Sequence, residues 1–201
     1  MGFDLYGINP LIKEGSVKPK RPNFEKKVSE KERDQYFEQI EKFESENVGV
    51  YFRNNVWWWR PLCDFILSEI LQDADKDTID GWTSNSGFEV DEETAIHIAN
   101  ELQRLVDNGT VDRHQYEHDL KAKVADEQNK KLQKKVDDLE KRVEKETGKS
   151  NLAPAQYPEK FKKEWEFLWD AKDWSSSYPF SKQNVMEFIA FAKQSGGFRI
   201  C

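Results

Sequence analysis

Arg53-Asn-Asn-Val-Trp-Trp-Trp-Arg-Pro61 is the stretch of this 201-residue chain richest in side chains able to hold a ligand. Three successive indoles, Trp57, Trp58 and Trp59, cannot all enter one core. On a helix they fan over about 200°, and on a strand they alternate between faces. At least one ring is therefore expected at the surface, beneath another element, or in a pocket. Arg53 and Arg60 flank the rings, and Asn54 and Asn55 add amide donors and acceptors. Aromatic faces beside guanidinium groups suit a planar anionic ligand, whose ring stacks while Arg forks its phosphate. The same residues also suit a packing hub, in which Trp covers several helices and Arg60 makes an internal ion pair.

Other motifs carry less. Ser195-Gly196-Gly197-Phe198 offers bare backbone N–H groups that a ligand can approach; its plainer reading is a helix stop and a tight turn. Gly196 and Gly197 join the candidate ligand-binding set on that basis. His114-Gln-Tyr-Glu-His118 matches H-x-x-E-H, the inverted zinc-protease motif, with Glu117 as base and Glu187 as a conceivable third ligand. It opens the most solvated part of the chain, so no metal and no catalytic residue is assigned to it. Asp73-Ala-Asp-Lys-Asp77 begins like a calcium loop, but Thr78 replaces the Gly of the sharp turn and Ser84 the bidentate Glu. Cys63 and Cys201 make neither a disulfide framework nor a zinc site, and neither has neighbours that would activate a thiolate.

Composition limits the classes further. Net charge is −7 and the sequence pI about 5.2. An acidic chain lacks the clustered Lys and Arg that general nucleic-acid binding needs. No apolar run approaches a membrane span and no secretory signal follows Met1, so a reducing, cytoplasmic setting is expected. At 37% hydrophobic and 34% charged, some stretch must be solvated on nearly all sides.

The elements that would position these residues are mostly helical. Residues 1–9 read as a short strand, and residues 13–22 as a basic, Pro-containing connector. Ser29 and Glu32 form a capping box for a helix whose buried stripe is Tyr36, Ile40 and Phe43. A second helix is expected from Pro61 to Leu71, and a polar loop from Gln72 to Asp91. Asp91 caps a helix with Ala95, Ile98, Ala99, Leu102, Leu105 and Val106 inward, ended by Gly109. Residues 114–150 read as a long charged helix. Ala122, Ala125, Asn129, Leu132, Val136, Leu139 and Val143 fall near a heptad, with Lys121–Asp126 and Lys135–Glu140 at complementary flanking positions. That pattern fits a coiled-coil dimer, a hairpin arm, or one solvated helix. Helices near 158–172 and after Ser181 complete the chain. Strands near 3–6, 50–53 and 198–200 are expected to pair, which would bring the Trp segment toward Gly196 and Gly197.

MGFDLYGINP at the start, YFRNNVWWWRPLCDFI in the first third and YPFSKQNVMEFIAFAKQSGGFRIC at the end together resemble a family of proteins of tailed bacteriophages and environmental bacteria. The resemblance covers about a quarter of the chain and implies a phage-type context without assigned catalytic residues. Relatives with a CxxC-type zinc knuckle hold it in the middle region, which is cysteine-free here. The expectation is thus a mainly α protein, α+β with a very small sheet: residues 1–113 and 151–201 form one Trp-rich domain and 114–150 a charged arm. Its expected role is non-enzymatic, binding a nucleotide-like small molecule as counter-defence, with no cofactor. The alternative is a protein–protein module that dimerises or meets a host or virion protein through 114–150. A zinc hydrolase on His114 and His118 ranks last.

Overall fold

The computed structural model describes residues 2–26 and 28–201. It is mainly helical with one small antiparallel sheet. The chain divides into unit one, Met1–Arg113 with Phe180–Cys201, and unit two, His114–Pro179. Among the described residues no helix is long and apolar enough to cross a membrane.

In unit one, β1 (Leu5–Gly7), β2 (Tyr51–Phe52), β3 (Phe88–Val90) and β4 (Phe198–Ile200) pair in the order β2-β1-β4-β3. Leu5 stands opposite Phe52 on one side and Ile200 on the other. Period-2 alternation then sends Leu5, Phe52, Phe198 and Ile200 inward, where all are buried. Three of these strands are the expected ones. β3 lies inside the stretch expected to be loop, as does α3 (Lys76–Thr83), whose first turn is capped by Asp75 accepting from Thr78 N–H at 2.8 Å. Both elements are too short for periodicity to register, and tertiary packing holds them. Trp82 of α3 is buried in the main core, and Gly81 leaves the room that the Phe88 ring fills.

The inner sheet face packs on α2 (Val56–Glu69), α4 (Glu92–Asp107) and α7 (Lys182–Gln194), which together form one apolar core. α4 follows the expected pattern, with Asp91 capping it and Ala95, Ile98, Ala99, Leu102 and Leu105 buried. α2 begins five residues earlier than expected. Proline favours a first turn, which pointed to Pro61, but the Asn55 side chain accepts from Trp57 and Trp58 N–H and starts the helix there. Pro61 therefore sits in the second turn. α1 (Glu30–Glu46) has the expected capping box, in which Ser29 N–H donates to Glu32 at 3.1 Å. Its expected buried stripe is not buried: of Tyr36, Ile40 and Phe43, Phe43 alone is.

Unit two is a helical hairpin. α5 (Thr110–Thr147) crosses the division between the units, and α6 (Glu159–Asp170) returns along it. Val136, Leu139 and Val143 of the heptad seam form a core with Tyr157, Phe161 and Leu168, flanked by Leu132, Leu152 and Trp165. Residues 151–179 thus belong with the charged helix, not with the Trp-rich domain as the sequence reading had it, because they supply the other half of the seam. Arg142–Glu164 and Lys160–Glu146 ion pairs, at 2.5 and 2.6 Å, edge this core.

Candidate ligand-binding groove

The three indoles divide as the helical fan requires. Trp59 is fully buried, stacked against Trp82 with ring centroids 5.8 Å apart, and its Nε1 donates to the Trp82 carbonyl at 3.0 Å. It also lies against Phe3 and Phe188. Trp59 is core, which removes it from the candidate site. Trp57 and Trp58 are 47% and 39% exposed. Arg60 is exposed on α2 beside Asp64, whose carboxyl is raised by burial while Arg60 opposes the shift.

Trp58 lines a groove of about 1300 Å³ in unit one. Strand alternation builds its floor. Because Leu5 and Phe52 face the core, Asp4, Tyr6, Tyr51 and Arg53 reach the groove. The Tyr6 and Tyr51 rings are 5.1 Å apart, and the Tyr51 hydroxyl donates to Asp4 Oδ1 at 2.7 Å. α1 supplies a second wall through Tyr36, Phe37, Ile40, Glu41, Glu44 and Ser45. Phe24 supports this wall, its ring 6.0 Å from Tyr36 and 6.3 Å from Phe37. The third wall is made where α2 and α7 begin: Asn54, Asn55 and Trp58 from one, Ser181, Gln183, Asn184 and Glu187 from the other. Asn184 ties the two starts together, donating to the Trp58 carbonyl at 3.3 Å and accepting from Asn54 at 3.5 Å.

α1 is held at its C-terminal end. Asn47 is buried; its side chain accepts from Lys13 N–H at 2.8 Å and donates to the Phe43 carbonyl at 2.7 Å and to Ser16 Oγ at 2.9 Å. The helix stripe Tyr36, Phe37 and Ile40 lines the groove.

The groove's charge is lopsided. Among the described residues, Asp4, Glu41, Glu44 and Glu187 line it against the guanidinium of Arg53. Burial raises the Glu44 carboxyl above its usual range; Lys18 opposes this and Glu41 adds to it. Burial likewise raises the Tyr6 hydroxyl, and Asp4, Cys201 and Glu44 push it further. Tyr51 is raised by burial and by its bond to Asp4.

No protein-family model, curated protein or solved structure matches this chain.

The structure brings Arg53, Asn54, Asn55 and Trp58 of the sequence-predicted set together in this groove, and leaves Trp57, Trp59 and Arg60 out of its lining. Gly196 and Gly197 do not join them either. Both have positive φ, at 57° and 84°, and a Cβ on Gly196 would collide with the Asn9 carbonyl. Around this turn Ile8 N–H donates to the Gly197 carbonyl, Asn9 N–H to the Ser195 carbonyl and Leu11 N–H to the Gln194 carbonyl, at 2.8, 3.1 and 2.8 Å. The double glycine is a turn packed under the N-terminal segment, which corrects its assignment as a ligand contact.

Among the described residues no group of three or more His, Cys, Asp and Glu side chains is placed to hold a metal ion. Asp75 of the calcium-like run is the α3 cap. Cys63 is buried, 3.4 Å from the Trp82 carbonyl, and its thiol is pushed up to about 12 by burial and then by Asp64. Sequence reasoning missed Asp4, Tyr6, Tyr36, Phe37, Glu41, Glu44, Tyr51 and Asn184. The outward positions of the first two strands were a usable signal for Tyr6 and Tyr51. The α1 residues carried a misleading one, since helical spacing reads as core.

Proposed function

We propose that this is a non-enzymatic binding protein whose ligand site is the groove between α1 and the outer face of the sheet. One observation carries this: an apolar helix stripe, Tyr36, Phe37 and Ile40, and the Tyr6–Tyr51 pair line open space of about 1300 Å³ instead of closing into a core. Solvated aromatic surface on opposing walls is costly unless an occupant covers it. Rings, side-chain amides and carboxylates fit recognition. The resemblance to phage proteins supplies a setting in which holding a molecule is itself the function, as in counter-defence.

A nucleotide-derived signal is one candidate ligand. Trp58 and the Tyr rings would take its base, and Arg53 with Asn54 and Asn55 its phosphate. Arg60, the second phosphate ligand of that scheme, is not among the lining residues, and the four carboxylates oppose an anion. Thermal-shift and Trp-fluorescence titration with cyclic dinucleotides and ADP-ribose tests this form. A shift lost in Trp58→Ala and Arg53→Gln supports it; no response to any member rejects a nucleotide ligand.

A further inference from the structure

The groove's contents favour a different ligand chemistry from the one its tryptophans first indicate. Among the described residues, four carboxylates and one guanidinium leave a negative excess in its lining. Aromatic faces attract cations through the ring quadrupole, with energies that rise when the cation is desolvated. Tyr6 and Tyr51 stand side by side at 5.1 Å, with Asp4 bonded to the Tyr51 hydroxyl. Glu44 is partly withdrawn from water, which raises its carboxyl; Lys18 offsets this and Glu41 adds to it. A further cation placed there would favour the charged form of Glu44.

Size and sheet order select the kind of cation. Small-molecule clefts run to roughly 300–1000 Å³, and this groove, at about 1300 Å³, exceeds them. β2 lies at the edge of the sheet, with no strand beyond it among the described residues, and its Tyr51 lines the groove. An extended chain can lie along such an edge while its alternate side chains enter pockets.

The geometry points to a lysine- or arginine-bearing peptide segment as the occupant of this groove, its cations held against Tyr6, Tyr51 and Trp58 by the carboxylates of Asp4, Glu41 and Glu44. This rests on the groove being the ligand site, and it names the partner: a basic segment of another protein. The aromatic walls cover the methylene stems of Lys and Arg, which bury their alkyl portions readily, while the carboxylates meet the charged heads. Arg53 would mark where the peptide carries no cation.

Fluorescence anisotropy of the full chain with a labelled peptide alternating Lys and Arg with Ser tests the proposal, against a counterpart carrying Glu in place of the cations. The cationic peptide is expected to bind at least tenfold tighter than the acidic one. Binding should weaken at least fivefold in E41Q/E44Q and stay unchanged in E38Q, which removes a charge from the same helix outside the groove. R53Q should tighten binding about threefold. Equal binding of both peptides, no effect of E41Q/E44Q, or an equal loss in E38Q would overturn the proposal. Spermidine binding as tightly as the peptide would overturn the choice of a peptide. A nucleotide that binds and is lost in Trp58→Ala would reject the cationic partner while keeping the groove as the site. If no probe of any charge responds to E41Q/E44Q or Trp58→Ala, in variants whose far-UV circular dichroism is unchanged, the groove itself fails as a ligand site.

Discussion

Asn129 and Asp173 are joined twice: Asn129 Nδ2 donates to the Asp173 carbonyl at 2.6 Å, and Asp173 N–H donates to Asn129 Oδ1 at 3.0 Å. The side-chain amide thus imitates a strand partner and pins the turn after α6 to α5. In the heptad pattern this residue is the buried polar position that would set register in a dimer. Here it sets the register of a hairpin, which is the intramolecular version of the same device. Replacing Asn129 with Ala is expected to cost about 1–2 kcal/mol in urea unfolding of unit two. Sedimentation of N129L should show no gain in self-association, because α6 already fills the seam.

The division of the three indoles gives a sharp contrast in stability. Trp59→Ala empties the centre of the core and takes the indole N–H from the Trp82 carbonyl, leaving it the weaker Cys63 thiol, and should cost about 3–5 kcal/mol. Trp57→Ala removes a half-exposed ring and should change stability by less than about 1 kcal/mol. Chemical denaturation of the two variants beside the wild type reads the difference. Equal losses would mean that the fan of the helix is misplaced.

Cys63 makes the core sensitive to alkali. Burial, then Asp64, moves its thiol from 9.0 up to about 12. A folded-state pKa raised above the unfolded one means that folding favours the neutral thiol. The stability contribution is whole below pH 9 and is lost as pH rises from 9 towards 12. Urea melts from pH 8 to 11 should show a decline that is shallower in Cys63→Val. At pH 8 a thiol reagent should label Cys201 quickly in the native protein and Cys63 only after unfolding, since Cys63 is the more buried of the two.

Two deletions separate the unit boundaries. Removing residues 114–150 leaves Tyr157, Phe161 and Leu168 without Val136, Leu139 and Val143, and the product is expected to aggregate. Removing 114–179 with a short Gly-Ser linker takes out the whole hairpin. The Lys182–Asp112 ion pair, at 2.8 Å, ties unit one together across the join. That product should stay soluble and unfold cooperatively, as judged by thermal melting and gel filtration.

Local signals were readable in the chain and long-range ones were not. Ser29, Asp91 and Ser181 announce their helices because a cap needs only the next three residues. The heptad seam marks 132–143 as a face able to take a partner, but nothing in that periodicity says that Tyr157 and Phe161 of the same chain will cover it. The groove was hidden for the same reason. Tyr36 and Ile40 have the spacing of a buried stripe, yet they line open space on a helix whose end is held by Asn47 through Lys13, Ser16 and Phe43, contacts distant in sequence or invisible to periodicity. Arg53 to Trp58 was the legible part of the site because its unusual residues are contiguous.

The pairing of Leu5 with both Phe52 and Ile200 also fixes the order in which the molecule can be made. During synthesis Val136, Leu139 and Val143 meet Tyr157, Phe161 and Leu168 soon after they are made, so the helices of His114–Pro179 can zip on contacts close in sequence. The other unit must hold its first strand unpaired on one edge until Phe198–Ile200 leaves the ribosome. A stalled or truncated chain would therefore present a finished hairpin attached to an open, aggregation-prone sheet, and would fall to chaperones and proteases before the groove existed.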